Sequence, residues 1–254
     1  MQAEDRHAAP VQGRPLISVV TVVFNDVAAV GSTIESVLNQ TFEDKEYLVV
    51  DGASDDGTIE IVAQYADRID LIISERDRGI YDAMNKAVAR ASGEYILFMN
   101  SGDMFASVDA LSAAAGSLRR GSEQVVFGAW VRREAEGRET QCLPSLSDGF
   151  FNHQAILYSR SIHSWHGDYV AVPGLSTADY LYFTTLLASG TVESKTIDAV
   201  IASIDVAGTS AGLQTFSQKH AIDYLCGRTS RLKLLLVLLL HPLYFRLKRL
   251  VRKW

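Results

Sequence analysis

The chain has 254 residues, of which 48% are hydrophobic and 21% charged, and its net charge is −6. This is the composition of a globular protein with a packed core, and it excludes wholesale disorder. The two cysteines, Cys142 and Cys226, are too few for a disulfide scaffold or a structural zinc site, which indicates a reducing compartment.

The charge is unevenly distributed along the chain. Eight of the 24 Lys and Arg lie in residues 224–254, a segment without Asp or Glu, so the body of the protein is acidic. Nucleic-acid-binding proteins usually carry their basic patch on the folded domain, so we expect no nucleic acid as a partner. An acidic body suits cation binding, and a basic tail suits contact with an anionic surface. Residues 1–15 are polar, lack the apolar segment of a secretory signal and are predicted to form a disordered lead.

Strands and helices alternate over the first hundred residues. Short apolar, β-branched runs predict buried strands, and apolar residues three and four apart predict helices. The predicted strands are 16–24, 47–51, 69–74 and 94–100, and the predicted helices are 31–40, 59–66 and 80–91. Ser32 followed by Glu35 forms a capping box that would start the first helix. This alternation predicts an α/β fold with a parallel sheet that binds ligands at the carboxyl ends of its strands.

The second half of the chain has a less regular pattern. It predicts a helix at 108–119, a strand at 124–131, a polar loop at 132–149, a helix at 178–188 and a strand at 196–204.

Two polar turns follow predicted strands. In the first, Asp51 could accept from a base or a ribose, while Ser54 and nearby glycines would let backbone donors approach a ligand. The alternative is a plain junction in which Asp56 or Thr58 caps the next helix. In the second, Asn100–Asp103, a carboxylate suits a hard divalent cation, and the alternative is an Asx-type turn.

Two further segments could carry chemistry. The helix that begins after Arg78 and Gly79 would present free N–H groups, with Asp82 and Asn85 on one face; the alternative is a cap with solvated polar residues. Asp179, at the start of the 178–188 helix, could take a proton from an acceptor hydroxyl, or could simply be an acid favoured by the helix dipole.

Taken together, these segments have a characteristic order. The motifs are SVVTVVFND, TIESVLNQTF, EYLVVDGASDDGT, ERDRGIYDAMNKA, GEYILFMNSGD, NHQA and TADYLYFTTLL. Over residues 16–210 the chain resembles inverting family 2 glycosyltransferases, most closely their bacterial capsule and exopolysaccharide branch of the colanic-acid type. The resemblance implies a GT-A fold, with a Rossmann-like nucleotide-sugar-binding half at 16–106 and an acceptor-binding, catalytic half at 107–215.

The resemblance also implies a role for each matched position. Thr21, Phe24 and Asn25 correspond to positions that contact the base, Asp51 to the acid that binds the nucleoside, and His153 and Gln154 to the acceptor side. The full set of donor-binding residues is Thr21, Phe24, Asn25, Asp51, Ser54, Arg78, Gly79, Asp82, Asn85, Asn100 and Ser101. A lone histidine such as His153 is also commonly a structural, hydrogen-bonded residue.

Catalysis would require a metal and a base. Asp103 would hold Mg²⁺ or Mn²⁺ to neutralise the leaving diphosphate, and Asp179 would deprotonate the acceptor for direct displacement with inversion. The chain departs from the family at Gly52, where a second acid is usual, and at Asn100–Gly102, where Asp103 is the one carboxylate left. Gly208–Ser210 resembles the family's turn after its last core strand.

The segment 216–254 reads as a basic amphipathic tail. Its uninterrupted apolar run, Leu234–Leu240, is seven residues long, whereas a membrane span needs about 20. We therefore expect 228–254 to lie on the inner face of the cytoplasmic membrane, near a saccharide or polyprenyl-diphosphate-linked acceptor. The alternative is a helix docked on protein.

Two other functions fit an α/β sheet with these turns. A nucleotidyltransferase would carry a Gly-rich loop with a basic residue after the first strand, where this chain has FNDVAAV. A non-catalytic nucleotide-sugar-binding protein would keep the fold and lose the acids. The expected donor is a nucleotide sugar, most often a UDP-sugar in the family.

Overall fold

The computed structural model describes residues 13–134, 137–205 and 213–239. In the first half, the strands are β1 (Ile17–Val23), β2 (Lys45–Asp51), β3 (Leu71–Ser74) and β4 (Tyr95–Phe98), and the helices are α1 (Val30–Leu38), α2 (Thr58–Ala63) and α3 (Ile80–Arg90). The four strands pair in parallel in the order β3-β2-β1-β4. Every residue of β1 is buried, because helices cover both faces of the sheet. The predicted alternation of strands and helices is confirmed.

The second half extends the same sheet with mixed pairing. Its elements are β5 (Met104–Phe105), α4 (Ala110–Ala115), β6 (Gln124–Arg133), β7 (Glu139–Cys142), β8 (Ile156–Ser159), α5 (His163–His166), α6 (Ala178–Ser189), β9 (Glu193–Asp205) and α7 (Leu213–Leu225). β8 joins the two halves, because it pairs antiparallel with both β4 and β6. β9 runs parallel to β6, while β5 and β7 pair antiparallel with β9 and β6. The stretch predicted as a polar loop therefore contains a short edge strand, β7.

Two apolar clusters lie on opposite faces of the sheet. One packs α3 and α6 against residues such as Val20 and Val50, and the other packs α1 and α4 against residues such as Val19 and Val49. Neighbouring strand residues alternate between the clusters, as the twofold period of a strand requires. Both clusters hold the carboxyl ends of β1, β2 and β4 together at one edge.

The predicted capping box of the first helix is wrong. α1 begins at Val30, and its cap residue Ala29 makes no side-chain hydrogen bond. The backbone N–H groups of Ala29 and Val30 already donate to the Asp26 carbonyl, so the helix starts before Ser32. Glu35 instead accepts from the Tyr65 hydroxyl at 3.0 Å.

The first part of the expected tail packs against the folded body. Tyr180 on α6 donates to Asp223 on α7 at 2.7 Å, and Arg228 donates to the backbone carbonyls of Leu146 and Ser147. Residues 231–239 form another helix. Among the described residues, no helix is both long and apolar enough to cross a membrane. Residues 240–254, Gly208–Ser210 and most of the predicted lead, residues 1–12, lie outside the described residues.

Candidate active site

Asp51 ends β2 and is fully buried. Its carboxylate accepts from the backbone N–H of Ser54 at 3.2 Å, from the Ser54 hydroxyl and from the Ser74 hydroxyl at 2.6 Å. These bonds fix the loop after β2 against the end of β3. Asp51 was predicted to bind a nucleoside. In the structure its carboxylate bonds to the loop after β2, and the residue has no exposed surface.

Phe24 and Asn25 lie in the loop after β1, which contacts the loop after β2. Phe24 is 62% exposed, and Asn25 adopts a left-handed φ of 49° while its backbone N–H donates to Ser54 at 2.8 Å. A flat, exposed aromatic ring at a sheet edge is a surface on which a base can stack. Both residues therefore face the side where the donor was predicted to bind.

Asp77 lies in the space next to Gly52. A Cβ on Gly52 would lie 2.6 Å from Asp77 Oδ2 and 3.0 Å from Phe24 Cδ2, so no larger residue fits there without movement. The other oxygen, Asp77 Oδ1, accepts from the backbone N–H of Gly79 at 2.8 Å. The position of Asp77 beside Gly52 could not be predicted from the sequence, because no local pattern relates two residues 25 positions apart.

Two predicted donor-binding residues, Thr21 and Asn85, make contacts within the protein. Thr21 is buried inside β1, where its hydroxyl bonds to the Met99 carbonyl and to Tyr47. The Asn85 amide makes two hydrogen bonds, of 2.8 and 2.9 Å, with the backbone of Tyr169. Thr21 thus supports the sheet, and Asn85 joins α3 to the loop that leads to α6.

The start of α3 carries an ion pair. Arg78 donates to Asp82 through its backbone N–H at 3.0 Å and its guanidinium at 2.9 Å, and Lys86 lies 3.8 Å from the same carboxylate. The hydrogen bonds from Arg78 lower the pKa of Asp82. Gly79 caps the helix with a φ of 116°, which an L side chain rarely adopts. The Arg78 side chain is 79% exposed, and so its charge is open to a ligand at this helix end.

Asp26 and Thr33 hold the turn after β4 with three hydrogen bonds. The Ser101 hydroxyl donates to Asp26 at 2.6 Å, and the Gly102 backbone N–H donates to the Thr33 hydroxyl at 3.0 Å. The same hydroxyl donates to the Asp103 carbonyl at 2.8 Å. This predicted metal-binding turn is therefore built onto α1 and the loop after β1.

Side chains of this turn contact side chains of a short 3-10 helix, His153–Ala155, in the second half of the chain. Gln154 donates to the Asp103 carboxylate, and the Asn100 amide lies 2.9 Å from His153 Nε2. Two buried oxygens, Asn100 Oδ1 and Gln154 Oε1, have no hydrogen-bond partner among the described residues. Burial raises the pKa of Asp103 to about 6, against the opposing effects of His153 and Gln154.

These oxygens fit a hard divalent cation, which prefers carboxylate and amide oxygen ligands. A cation beside Asp103 would favour the ionised carboxylate that burial disfavours, and would give the two unpartnered amide oxygens a partner. Among the described residues, no group of three or more His, Cys, Asp or Glu could hold a metal ion. A cation here would therefore depend on amide oxygens, and on a bound ligand, more than on carboxylates.

Asp179 lies at the start of α6 with both oxygens engaged. Tyr81 donates to Oδ1 at 2.7 Å, and His153 Nδ1 lies 2.9 Å from Oδ2. The carboxylate is 19% exposed. Burial opposes its charge, but the ion pair and hydrogen bond with His153 and the hydrogen bond from Tyr81 lower its pKa to about 2. Asp179 is thus ionised at neutral pH, and its contact with Tyr81 could not be predicted from the sequence.

The structure brings five predicted residues into one cluster. Asn100 and Asp103 come from the donor half, and His153, Gln154 and Asp179 come from the acceptor half. Phe24, Asn25 and Arg78 lie on loops at the same sheet edge, while Thr21 and Asn85 make internal contacts. This arrangement can bind a nucleotide at the edge of the parallel strands and place a carboxylate base across from it.

Comparison with known proteins gives matches over most of the chain. The family model described as Glycosyl transferase family 2 matches residues 18–167. A PGL/p-HBAD biosynthesis glycosyltransferase of Mycobacterium bovis is 29% identical over 163 residues, which are 61% of this chain and 63% of that protein. A glycosyltransferase of Bacillus subtilis named for teichuronic acid biosynthesis is 39% identical over 93 residues, 35% of this chain and 37% of that protein. The matches thus span less than two thirds of these relatives' length.

Solved structures share the fold at low sequence identity. TarS from S. aureus in complex with UDP-GlcNAc has a TM-score of 0.66 and 16% identity, covering 83% of this chain and 65% of that one. The mannosyltransferase PcManGT from Pyrobaculum calidifontis, in complex with GDP-Man and Mn²⁺, has a TM-score of 0.64 and 20% identity, covering 88% and 67%. The predicted α/β architecture of the GT-A type is confirmed. With a family model that matches more than half of its length, this chain belongs to glycosyl transferase family 2.

Proposed function

We propose that this protein transfers a sugar from a nucleotide-sugar donor, a UDP-sugar in the first instance, to a saccharide or polyprenyl-diphosphate-linked acceptor, with inversion. The reaction belongs to the synthesis of a bacterial surface polysaccharide. The observation that carries the proposal is a cluster in which His153 contacts both Asp179 and Asn100. Asn100 belongs to the turn that is predicted to lie at the diphosphate. A base and a donor site at this spacing are what a single displacement requires.

Each part of the site has a proposed task. Phe24 stacks on the base, and Asp51 shapes the loop beneath it through Ser54. The exposed guanidinium of Arg78 attracts the diphosphate, whereas the backbone N–H groups of Arg78 and Gly79 already donate to Asp82 and Asp77. Asp179 takes the acceptor proton while Tyr81 holds its other oxygen. Asp103, with Asn100 and Gln154, would hold Mg²⁺ or Mn²⁺, which when bound stabilises the charge on the leaving diphosphate.

Relatives and neighbours support the class of reaction. Two relatives are named as glycosyltransferases of PGL/p-HBAD and of teichuronic acid biosynthesis. Two fold neighbours bind nucleotide sugars, one of them with Mn²⁺. Membership of the family also favours sugar transfer over the nucleotidyltransferase alternative.

The test is a donor screen with two readouts. We expect UDP-GlcNAc or another UDP-sugar, with Mn²⁺, to raise the unfolding temperature and to be slowly hydrolysed, with GDP-Man as the comparison. NMR of the product formed with a matching acceptor should show the inverted anomeric configuration. Binding without hydrolysis or transfer for any donor would favour the non-catalytic alternative, and a retained configuration would overturn inversion.

We also propose that the segment 228–254 lies on an anionic membrane surface. In the helix at 231–239, Leu232 is 69% and Leu239 is 73% exposed, and Arg231 and Lys233 flank Leu232. Exposed leucines interleaved with basic residues are the composition of an interfacial helix.

The contacts of Arg228 determine where the tail should be cut. A truncation after Ser230 keeps Arg228 on the Leu146 carbonyl, so it removes the helix without disturbing the body. We expect this truncation to lose binding to vesicles rich in anionic lipid and to keep donor binding. Unchanged vesicle binding would show that the tail is not the anchor.

A further inference from the structure

Helix α7 contacts the turn that leads into α6, just before the proposed base, Asp179. Three positions of this turn bond to one side chain, that of Gln218. The Gln218 amide nitrogen donates to the Gly174 carbonyl at 2.6 Å. Its amide oxygen accepts from the Ser176 backbone N–H at 3.0 Å and from the Thr177 hydroxyl at 3.1 Å. A single residue of α7 therefore holds the chain up to the residue that precedes α6.

Thr177 is the N-terminal cap residue of α6. Its carbonyl accepts from the Leu181 N–H at 2.9 Å, but its side chain makes no capping hydrogen bond within α6. A threonine at this position ordinarily accepts from an N–H of its own helix. Here the hydroxyl donates to Gln218 instead, and the residue is buried. The start of α6 is therefore fixed by its contact with α7, and not by α6 alone.

Further contacts between α6 and α7 follow directly after Asp179. The Tyr180 hydroxyl donates to Asp223 at 2.7 Å, and the Lys219 ammonium lies 5.0 Å from the centroid of the Tyr180 ring. Asp179 thus lies, in sequence, between two residues that bond to α7. From α3, Tyr81 donates to the Asp179 carboxylate at 2.7 Å. The backbone of Asp179 is therefore located by α7, and its carboxylate is bonded by α3.

We propose that Gln218 is a positioning residue for the sugar transfer, because it fixes the start of α6 and so the place of the Asp179 carboxylate. The proposal deepens the proposed function and rests on it. Gln218 takes no part in bond making, and it acts through the backbone of the turn at 174–177. Misplacing a catalytic group by about 1 Å can lower a rate about 10²-fold, so the loss of this support should be measurable in kcat.

Gln218 lies outside residues 18–167, which are the part of the chain that the family model matches. It belongs to the segment 216–254, which the sequence predicted to be a membrane-associated tail. On this proposal the first part of that segment, within α7, serves the active site. The membrane-binding part begins only after Arg228, which is bonded to the body of the protein.

Two variants of Gln218 and one control test the proposal. Gln218→Met keeps the length of the side chain and removes the amide, so the three bonds to the turn are lost. Gln218→Glu keeps an oxygen that can accept from Ser176 and Thr177. In that variant the Gly174 carbonyl still has its 2.6 Å bond from Gln214. Gln214→Met is the matched control, because Gln214 lies one turn earlier on α7 and, among the described residues, has no hydrogen bond to Ser176 or Thr177.

The readouts are kcat for hydrolysis of the UDP-sugar identified in the donor screen, in which water takes the place of the acceptor, and affinity for UDP with Mn²⁺ by calorimetry. We expect Gln218→Met to lower kcat about 10–100-fold at unchanged affinity. We expect Gln218→Glu to recover most of this loss, and Gln214→Met to keep the kcat of the unaltered protein. An unchanged kcat in Gln218→Met, equal losses in both methionine variants, no recovery with glutamate, or a parallel loss of affinity would each overturn the proposal.

A measurement on the unaltered protein keeps the proposal testable if Gln218→Met fails to fold. In the full chain labelled with ¹⁵N, the Ser176 amide should exchange its hydrogen slowly although Ser176 is exposed, because Gln218 accepts from it. Exchange at the rate of an unstructured amide would overturn the proposal. If the unaltered protein acts on no donor, the proposed function fails. If it is active and Gln218→Met equals it, the inference about Gln218 alone fails.

Discussion

The two sides of the candidate site are stabilised by contacts of different range. On the nucleotide side, Asp51 is bonded to Ser54 three positions away and to Ser74 at the next strand end, so the loop is completed from its own neighbourhood. On the catalytic side, Asp179 is bonded to Tyr81, 98 positions away, and Gln154 to Asp103, 51 positions away. The loop proposed to bind the nucleotide can therefore form with its half of the sheet, whereas the cluster proposed for catalysis exists only once β8 has joined the two halves.

Of the substitutions that test this difference between the two sides of the site, we expect the largest effect from one at Asp179. Asp179→Asn should lower kcat by about 10²–10⁴-fold, because it removes the proposed base, while donor affinity stays the same. Steady-state kinetics and calorimetry measure the two effects, with Asp198→Asn on the exposed face of β9 as the control. Loss of donor binding in Asp179→Asn would contradict the base assignment.

At Asp51 we expect a substitution to lower the stability of the fold, whereas at Asp179 we expect it to lower kcat. Asp51→Ala removes the buried carboxylate that accepts from Ser54 and Ser74, and we expect it to lower the free energy of unfolding by about 2 kcal/mol. Urea unfolding measures this loss. Asp55→Ala, on the exposed side of the same loop, should change stability by less than about 0.5 kcal/mol. Equal stability of the two variants would show that Asp51 does not hold the loop.

We expect the Asp103 carboxylate to lower the stability of the fold at neutral pH and to strengthen cation binding. Its pKa is raised to about 6, so burial penalises the ionised form, and the stability of the protonated form is lost as the pH rises through 6. Asp103→Asn keeps a neutral side chain and should unfold at a higher temperature at pH 7. It should also bind Mn²⁺ at least about tenfold more weakly, because ligand charge sets affinity for hard cations. A less stable variant would contradict the burial argument.

The smallest effect is expected from His163, in the aromatic cluster under α6. This histidine packs on Tyr182 at 5.1 Å between ring centroids, and burial lowers its pKa below the ordinary value of about 6.5. The unfolded chain then binds a proton that the native state excludes, so stability is complete above pH 6.5 and falls as the pH drops. Urea unfolding from pH 7.5 to 5 should show a shallower decline for His163→Gln than for the unaltered protein. Parallel declines would contradict this prediction.

The features that the sequence could predict are local ones, and the features that it could not predict are contacts between the two halves of the chain. The first four strands and three helices could be predicted, because hydrophobic period is a local property. Asp51, Asp103 and Asp179 could be identified as candidates from their places at strand and helix ends. The bonds of Asn85 to Tyr169, of Tyr81 to Asp179 and of His153 to Asn100 could not be predicted, because they depend on how β8 and α6 pack onto the first half.

The close approach at Gly52 has a consequence for how this site can evolve. The space a side chain would need there is already taken by the Asp77 carboxylate, 2.6 Å from the position of a Cβ. A side chain at position 52 would therefore require the Asp77 carboxylate to move, so the effect of a substitution at either position depends on the residue at the other. Among relatives, we expect the two positions to covary, with a smaller residue at 77 wherever 52 carries a side chain.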